Sequence, residues 1–182
     1  PIYKKVVAAL IQEIQDNIKT GDPALRDTLA GPMITRQALE QTDEWVRQAV
    51  DGGAKVLTGG KAQGACYQPT LLENVNNSMN VVCKEVFAPV ACVQSYNDFD
   101  EAMDMVNDSD FGLQVGIFTS GLAEAFSAFD KARVGGVIIN DFPTFRVDNM
   151  PYGGVKQSGF GREGVRWAIE EMTDTKVMVI KP

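Results

Sequence analysis

The stretch that decides the fold runs from Pro89 to Asn140: PVACVQSYNDFDEAMDMVNDSDFGLQVGIFTSGLAEAFSAFDKARVGGVIIN. It opens on a strand-like run, PVACVQSY (89–96). From Asp98 to Val106 the apolar residues Phe99, Ala102, Met103 and Val106 recur at steps of three and four, which places them on one face of a helix. LQVGIFT (113–119) is again strand-like. A second helix is expected over 122–132, with Leu122, Ala125, Phe126 and Phe129 packed inward, and GVIIN (136–140) reads as a third apolar strand. Strand, helix, strand, helix, strand with short Gly and Asp turns is a βαβαβ array. Near-continuous apolar strands of this kind belong to parallel sheets covered on both faces, linked by right-handed crossovers. The expected fold is α/β: a three-layer, mostly parallel sheet with flanking helices.

Upstream of this array, Ile2, Val6, Val7, Leu10, Ile11, Ile14 and Ile18 mark one face of an amphipathic helix that Gly21-Asp22-Pro23 ends. Residues 22–34 read as loop. Thr35 is an N-cap candidate for a second helix, which Gly52-Gly53 stops. Short strands follow at 54–57 and 68–75. Downstream, 141–164 breaks the pattern with DFPTFRVDNMPYGGVKQSGFGREG. A short helix over 163–172, with Val165, Ala168, Ile169 and Met172 inward, and a last apolar strand at 175–180 (TKVMVI) complete the chain. That strand has no partner in sequence order, and an exposed edge is usually paired or covered, so a second chain is one answer.

The composition narrows the function. With 182 residues, 45% of them hydrophobic, a single domain is the default and a core needs no staples. The formal net charge of −7 provides no basic field for nucleic acid or anionic membrane, and no apolar run approaches the length of a membrane span. The chain starts at Pro1 and enters helical periodicity at once, as an excised segment would. It has no histidine, which removes Ser-His-Asp triads, Cys-His dyads and His-based metal sites together. No metal site is expected. Three widely spaced cysteines, Cys66, Cys83 and Cys92, form no CxxC and suit a reducing, cytoplasmic setting. Each is read as a buried small hydrophobe rather than a nucleophile.

Two stretches remain as carriers of chemistry. The Gly-rich segment between Gly153 and Gly164, with Lys156 and Arg162, could cradle an anion, but it lacks the GxxxxGK[ST] pattern. Its GxGxxG letters (159–164) also stand far from the preceding strand, so a tight structural loop is the stronger reading. In VCKEVFAPV (82–90), Glu85 can accept two hydroxyl hydrogen bonds at once, as a ribose diol requires. Phe87, two residues on, would share its face in an extended backbone. Read from these letters alone, Glu85 is a solvated carboxylate and Phe87 a core side chain.

Taken in order, KEVFAPV, VNDSDFGLQVGIFT, GGVIIN and MPYGGVKQSGFGREG resemble the C-terminal part of the NAD(P)-dependent aldehyde dehydrogenase superfamily. GPMI, GGAKVLTGG and YQPTLLENV upstream fit as well. The resemblance implies oxidation of an aldehyde to an acid through a thiohemiacetal on a catalytic cysteine, with hydride transfer to NAD or NADP. It makes Glu85 the acceptor for the nicotinamide ribose hydroxyls and Phe87 the aromatic beside the nicotinamide. Phe145 and Tyr152 become walls of the aldehyde tunnel, and Arg146 a cation facing the substrate, which suits a small anionic or hydroxylated aldehyde. Arg146 has an alternative reading, paired with Asp148 or solvated. The resemblance further implies a partial catalytic domain over 1–172 and a C-terminal oligomerisation strand over 173–182, joining subunits as a dimer or tetramer. Two residues depart from the family's usual motif: Lys84 stands where a second Glu is common, and Ala88 where a glycine is. The family's nucleophile, general-base glutamate and cofactor turn match nothing in this chain, so the chain by itself is expected to be inactive. The competing reading is a non-catalytic α/β module for binding or subunit assembly.

Overall fold

The periodicity at the start of the chain is realised as α1 (Tyr3–Asn17), whose one buried residue is Val7. In the computed structural model, which describes residues 2–182, the chain divides into a unit ending at Ser95 and a unit Tyr96–Pro182. In the first unit α1 is followed by two short parallel strands, β1 (Lys19–Thr20) and β2 (Thr28–Ala30), the second of which lies within the stretch 22–34 expected to be loop. Thr35 then caps α2 (Arg36–Asp51): its side-chain oxygen accepts from the Ala38 amide at 3.0 Å, satisfying one of the orphan donors of the first turn. The helix ends at Gly52, and the left-handed residue is Gly53 at φ 103°.

Strand β3 (Lys55–Thr58), the small hairpin β4 (Ala62–Gln63) and β5 (Cys66–Tyr67), and β6 (Thr70–Glu73) follow. A four-residue helix, α3 (Asn80–Cys83), leads to β7 (Val90–Val93). The sheet order is β3-β6-β7, with β3 antiparallel and β7 parallel to β6. Its core is one cluster: Val46 and Ala49 from α2 meet Ala54, Tyr67, Leu72, Val75, Met79 and Val81, all under one-tenth exposed. Burial of both faces explains why Thr70, Leu71 and Leu72 are all buried rather than alternating.

The second unit begins with α4 (Phe99–Asn107), capped by Asp98, whose carboxylate accepts from the Glu101 amide at 2.9 Å. Next come β8 (Phe111–Gly112), β9 (Gln114–Ile117), α5 (Leu122–Lys131) and β10 (Gly136–Ile139). Strands β9 and β10 pair in parallel, from Gln114 opposite Gly136 to Ile117 opposite Ile139. The array read from 89 to 140 is therefore divided. β7 belongs to the sheet of the first unit, and β9-α5-β10 is the parallel strand-helix-strand of the second. The short β11 (Val155–Lys156) pairs antiparallel with β8, and α6 (Val165–Met172) is the last element.

Three expectations are corrected here. Leu122, Phe126 and Phe129 on α5 lie open, at 64–73% exposure, as do Val165, Ile169 and Met172 on α6. Periodicity identifies an apolar face; it does not supply the surface that covers it. Residues 173–182 form no strand among the described residues, and Val177 to Ile180 stand 76–82% exposed. A strand exists only through the hydrogen bonds of a neighbour, and here the segment has none. Finally, Phe87 is no core residue; it is 78% exposed.

Candidate functional site

The residues expected on the cofactor side lie in the first unit, between two anchors. On one side, the α3 turn is fixed to the core by buried Val81 and to α2 by a hydrogen bond from Asn80 Nδ2 to Gln48 Oε1 at 3.1 Å. On the other, the Thr70 amide donates to the Pro89 carbonyl at 2.8 Å, tying the start of β7 to β6. Between them the backbone leaves the helix extended at Lys84 and then turns through Phe87, whose φ is +53°. The Val90 amide closes the corner onto the Ala88 carbonyl at 2.7 Å. The assumption that Glu85 and Phe87 share a face in an extended strand therefore fails: the left-handed residue interrupts the alternation. Both side chains are nonetheless exposed, and the Glu85 carboxylate makes no hydrogen bond or ion pair among the described residues. Its two oxygens are open to accept, and the Phe87 ring presents a free face. That pair fits a diol and a flat ring.

The left-handed position falls on Phe87, not on Ala88. The alanine at the place of the usual glycine thus carries no positive-φ strain. A bulky L-residue in that region is costly, and such outliers persist where the surroundings impose them.

The expected substrate residues lie in the second unit, on the loop after β10. Asn140, at φ +59°, ends the strand; its side-chain oxygen accepts from the Thr119 amide at 2.8 Å. The loop is held onto β9 by Gln114 Nε2, which donates to the Phe145 carbonyl at 3.1 Å, and Phe142 meets Phe118 edge-on at 5.7 Å. Arg146 does not pair with Asp148. Its Nη2 lies 2.8 Å from Glu163 Oε2, and its guanidinium sits over the Tyr152 ring, 4.3 Å from the centroid. Tyr152 and Glu163 are joined through their backbones by two hydrogen bonds, at 3.1 and 2.6 Å. The structure thus brings Arg146 and Tyr152 together and adds Glu163, which sequence reasoning passed over. Nothing in the spacing points to a partner 17 residues away, beyond its place inside the Gly-rich segment.

That segment is no anion cradle. Lys156 Nζ donates to the carbonyls of Asn107 and Ser109 at 2.9 and 2.8 Å, and Arg162 Nη1 to those of Gly154 and Gly161 at 3.0 and 2.7 Å. The cations are spent on the chain's own backbone. The glycines allow strands of backbone to pass closely: a Cβ on Gly135 would stand 1.7 Å from the Gly153 carbonyl oxygen.

Of the three cysteines, all read as buried from the sequence, Cys83 and Cys92 are only half-buried. Cys66 is buried, with its thiol 3.9 Å from the Gly21 carbonyl. Cys92 donates to the Val81 carbonyl at 3.6 Å, and burial pushes its thiol up to about 11. No group of three or more potential metal ligands is found among the described residues. No helix among them is long and apolar enough to cross a membrane.

Comparison with known proteins decides the family. Residues 1–178 match the family model described as the aldehyde dehydrogenase family. The chain belongs to the aldehyde dehydrogenase family. It is 47% identical over 182 residues to the 3-sulfolactaldehyde dehydrogenase of Priestia aryabhattai, covering 98% of this chain and 38% of that protein. Among solved structures, aldehyde dehydrogenase 21 from Physcomitrella patens, in complex with the reaction product succinate, superposes with a TM-score of 0.95 at 44% identity, covering 99% of this chain and 37% of that one. The glyceraldehyde-3-phosphate dehydrogenase of Methanocaldococcus jannaschii, complexed with NADP, follows at a TM-score of 0.88 and 37% identity, covering 95% and 37%. The α/β fold is that of aldehyde dehydrogenases. The chain spans somewhat over a third of the length of these relatives.

Proposed function

We propose that this chain supplies the C-terminal part of an NAD(P)-dependent aldehyde dehydrogenase that oxidises a small anionic or hydroxylated aldehyde to the carboxylic acid. The observation that carries the reading is the family match across residues 1–178. In this reading Glu85 accepts the two nicotinamide ribose hydroxyls, and Phe87 lies against the ring; both are exposed, as that task needs. When bound, NAD or NADP supplies the hydride acceptor. Arg146 holds the anionic end of the aldehyde, with Phe145 and Tyr152 as aromatic walls. Several relatives' names support this class, since sulfolactaldehyde, succinate and glyceraldehyde 3-phosphate carry an anionic group and lactaldehyde a hydroxyl, although betaine aldehyde, named for a relative at 34% identity, is a cation.

None of Cys66, Cys83 and Cys92 serves as the nucleophile. Two have thiols turned onto backbone carbonyls, and Cys83 closes the α3 turn. Catalysis then needs a cysteine and a general base from elsewhere in the protein. Residues 175–180, apolar and unpaired, join subunits into a dimer or tetramer by strand addition. The free thiols suit a reducing, cytoplasmic compartment.

The test is a paired assay with NAD and with NADP across a panel of aldehydes. The whole protein is expected to reduce one cofactor in an aldehyde-dependent way, and the 182-residue chain neither. Cofactor reduction by the chain alone would refute the assignment of the nucleophile elsewhere. Failure of the whole protein with every aldehyde would refute the activity. In the whole protein, Arg146→Ala should raise KM for 4-oxobutanoate more than for butanal, a neutral aldehyde of the same length; equal effects refute the role of Arg146.

A further inference from the structure

Arg146 is a guanidinium with five N–H donors, and among the described residues one carboxylate oxygen, Glu163 Oε2 at 2.8 Å, engages it. Its plane is held by the Tyr152 ring at 4.3 Å, and its side chain remains 49% exposed. The cation is oriented and still open. Yet the carboxylate beside it cancels its charge, so an incoming anion meets both an attractive and a repulsive group.

We propose that Glu163 is a specificity-determining residue: it tempers the Arg146 cation and so sets how strongly the site prefers anionic over neutral aldehydes. This rests on the reading of Arg146 as the substrate-facing cation. Three features assign the effect to charge rather than to scaffolding. The Tyr152–Glu163 link is made by backbone groups at 3.1 and 2.6 Å, so a changed side chain leaves it in place. The Tyr152 ring supports the guanidinium independently of the carboxylate. A glutamine at 163 retains an oxygen that accepts from Nη2 while removing one negative charge.

Coulomb's law gives the size. A unit charge roughly 5 Å from a bound anion, in water-like surroundings, changes its binding about fourfold. Glu163→Gln in the whole enzyme is therefore expected to lower KM for 4-oxobutanoate about fourfold relative to KM for butanal. The difference should shrink as ionic strength rises from about 0.01 M to 0.3 M, since screening shortens the reach of exposed charge. KM for butanal is the internal reference for an intact site, and kcat is followed separately for both substrates. Arg146→Ala is run alongside.

If Arg146→Ala discriminates between the two aldehydes and Glu163→Gln shifts the ratio toward the anion, the proposal stands. If Arg146→Ala discriminates but Glu163→Gln moves both aldehydes equally, or neither, the role of Glu163 is overturned while that of Arg146 survives. A rise in KM for 4-oxobutanoate alone also overturns it, since Glu163 would then act by orienting the guanidinium. If Arg146→Ala affects both aldehydes alike, the underlying reading of Arg146 fails, and this inference with it.

Discussion

Replacing Phe87 by glycine and by alanine should give an inverted order of stability. Phe87 stands at φ +53° and is 78% exposed. The left-handed region costs an L-residue roughly 1–2 kcal/mol, which glycine avoids. Against this, glycine adds about 0.4–1 kcal/mol of conformational entropy to the unfolded chain. The ring buries about a fifth of a surface of ~200 Å², so losing it costs about 1 kcal/mol at ~25 cal/mol per Å². For Phe87→Gly the relief of ~1.5 kcal/mol nearly offsets the two losses, leaving stability within about 0.5 kcal/mol of the parent. Phe87→Ala loses the contact and keeps the strained backbone, so it should be about 1 kcal/mol less stable than the parent.

Urea unfolding followed by circular dichroism reads this directly. With a slope of ~2 kcal/mol/M, the glycine variant should unfold at about 0.4 M more urea than the alanine variant. An alanine variant equal to or more stable than the glycine variant would refute the left-handed corner. On the proposed role of Phe87 beside the nicotinamide, both variants should weaken cofactor binding alike in the whole protein, because each lacks the ring. A residue whose removal leaves the fold nearly unchanged but impairs the cofactor is held in a strained conformation for binding rather than for packing.

Two further outcomes follow from the first unit. Leu72→Ala empties a site of no exposure at the centre of the core cluster and should cost about 3 kcal/mol, whereas Leu29→Ala, at 69% exposure, should cost less than about 0.5 kcal/mol; urea midpoints check both. Stability should also fall at high pH. Burial, reinforced by the charge of Asp43, pushes the Tyr67 phenol from 10.0 up to about 12, and burial pushes the Cys92 thiol from 9.0 up to about 11. Both groups favour their neutral forms in the folded chain, so their contribution is intact below the unfolded values and is lost as pH rises from about 9 to 12. Tyr67→Phe should remove the phenol's share of the decline, which runs from about 10 to 12 and stands alone above about 11; an unchanged profile would refute the assignment.

How far the sequence reaches is seen by comparing particular residues. Thr35 caps the helix it was expected to cap, because an N-cap is a local matter of one oxygen and an amide three residues on; Asp98, read as the first residue of a helix, proves to be the cap of α4 by the same local geometry. The strands at 114–117 and 136–139 were legible from their apolar runs, and so was the helix between them. Pairing was not legible. Nothing in PVACVQSY says that its neighbour is Thr70–Glu73, since the partner of a strand is set by the packing of the whole unit. The open faces of α5 and α6 carry the same lesson: the period of 3.6 was there, but the covering surface is not a property of the helix.

The sequence by itself determined the family, the longer helices and the strands β9 and β10, and the identity of Glu85, Phe87, Phe145, Arg146 and Tyr152 as candidates. Those signals are local, or they are ordered motifs that survive without coordinates. Only the tertiary structure decided that the corner turns at Phe87 rather than Ala88, that Lys156 and Arg162 are engaged by backbone carbonyls, and that Arg146 is stacked on Tyr152 and paired with Glu163. Each of these depends on groups brought together from distant parts of a unit, where distance and desolvation, not spacing along the chain, set which charge meets which.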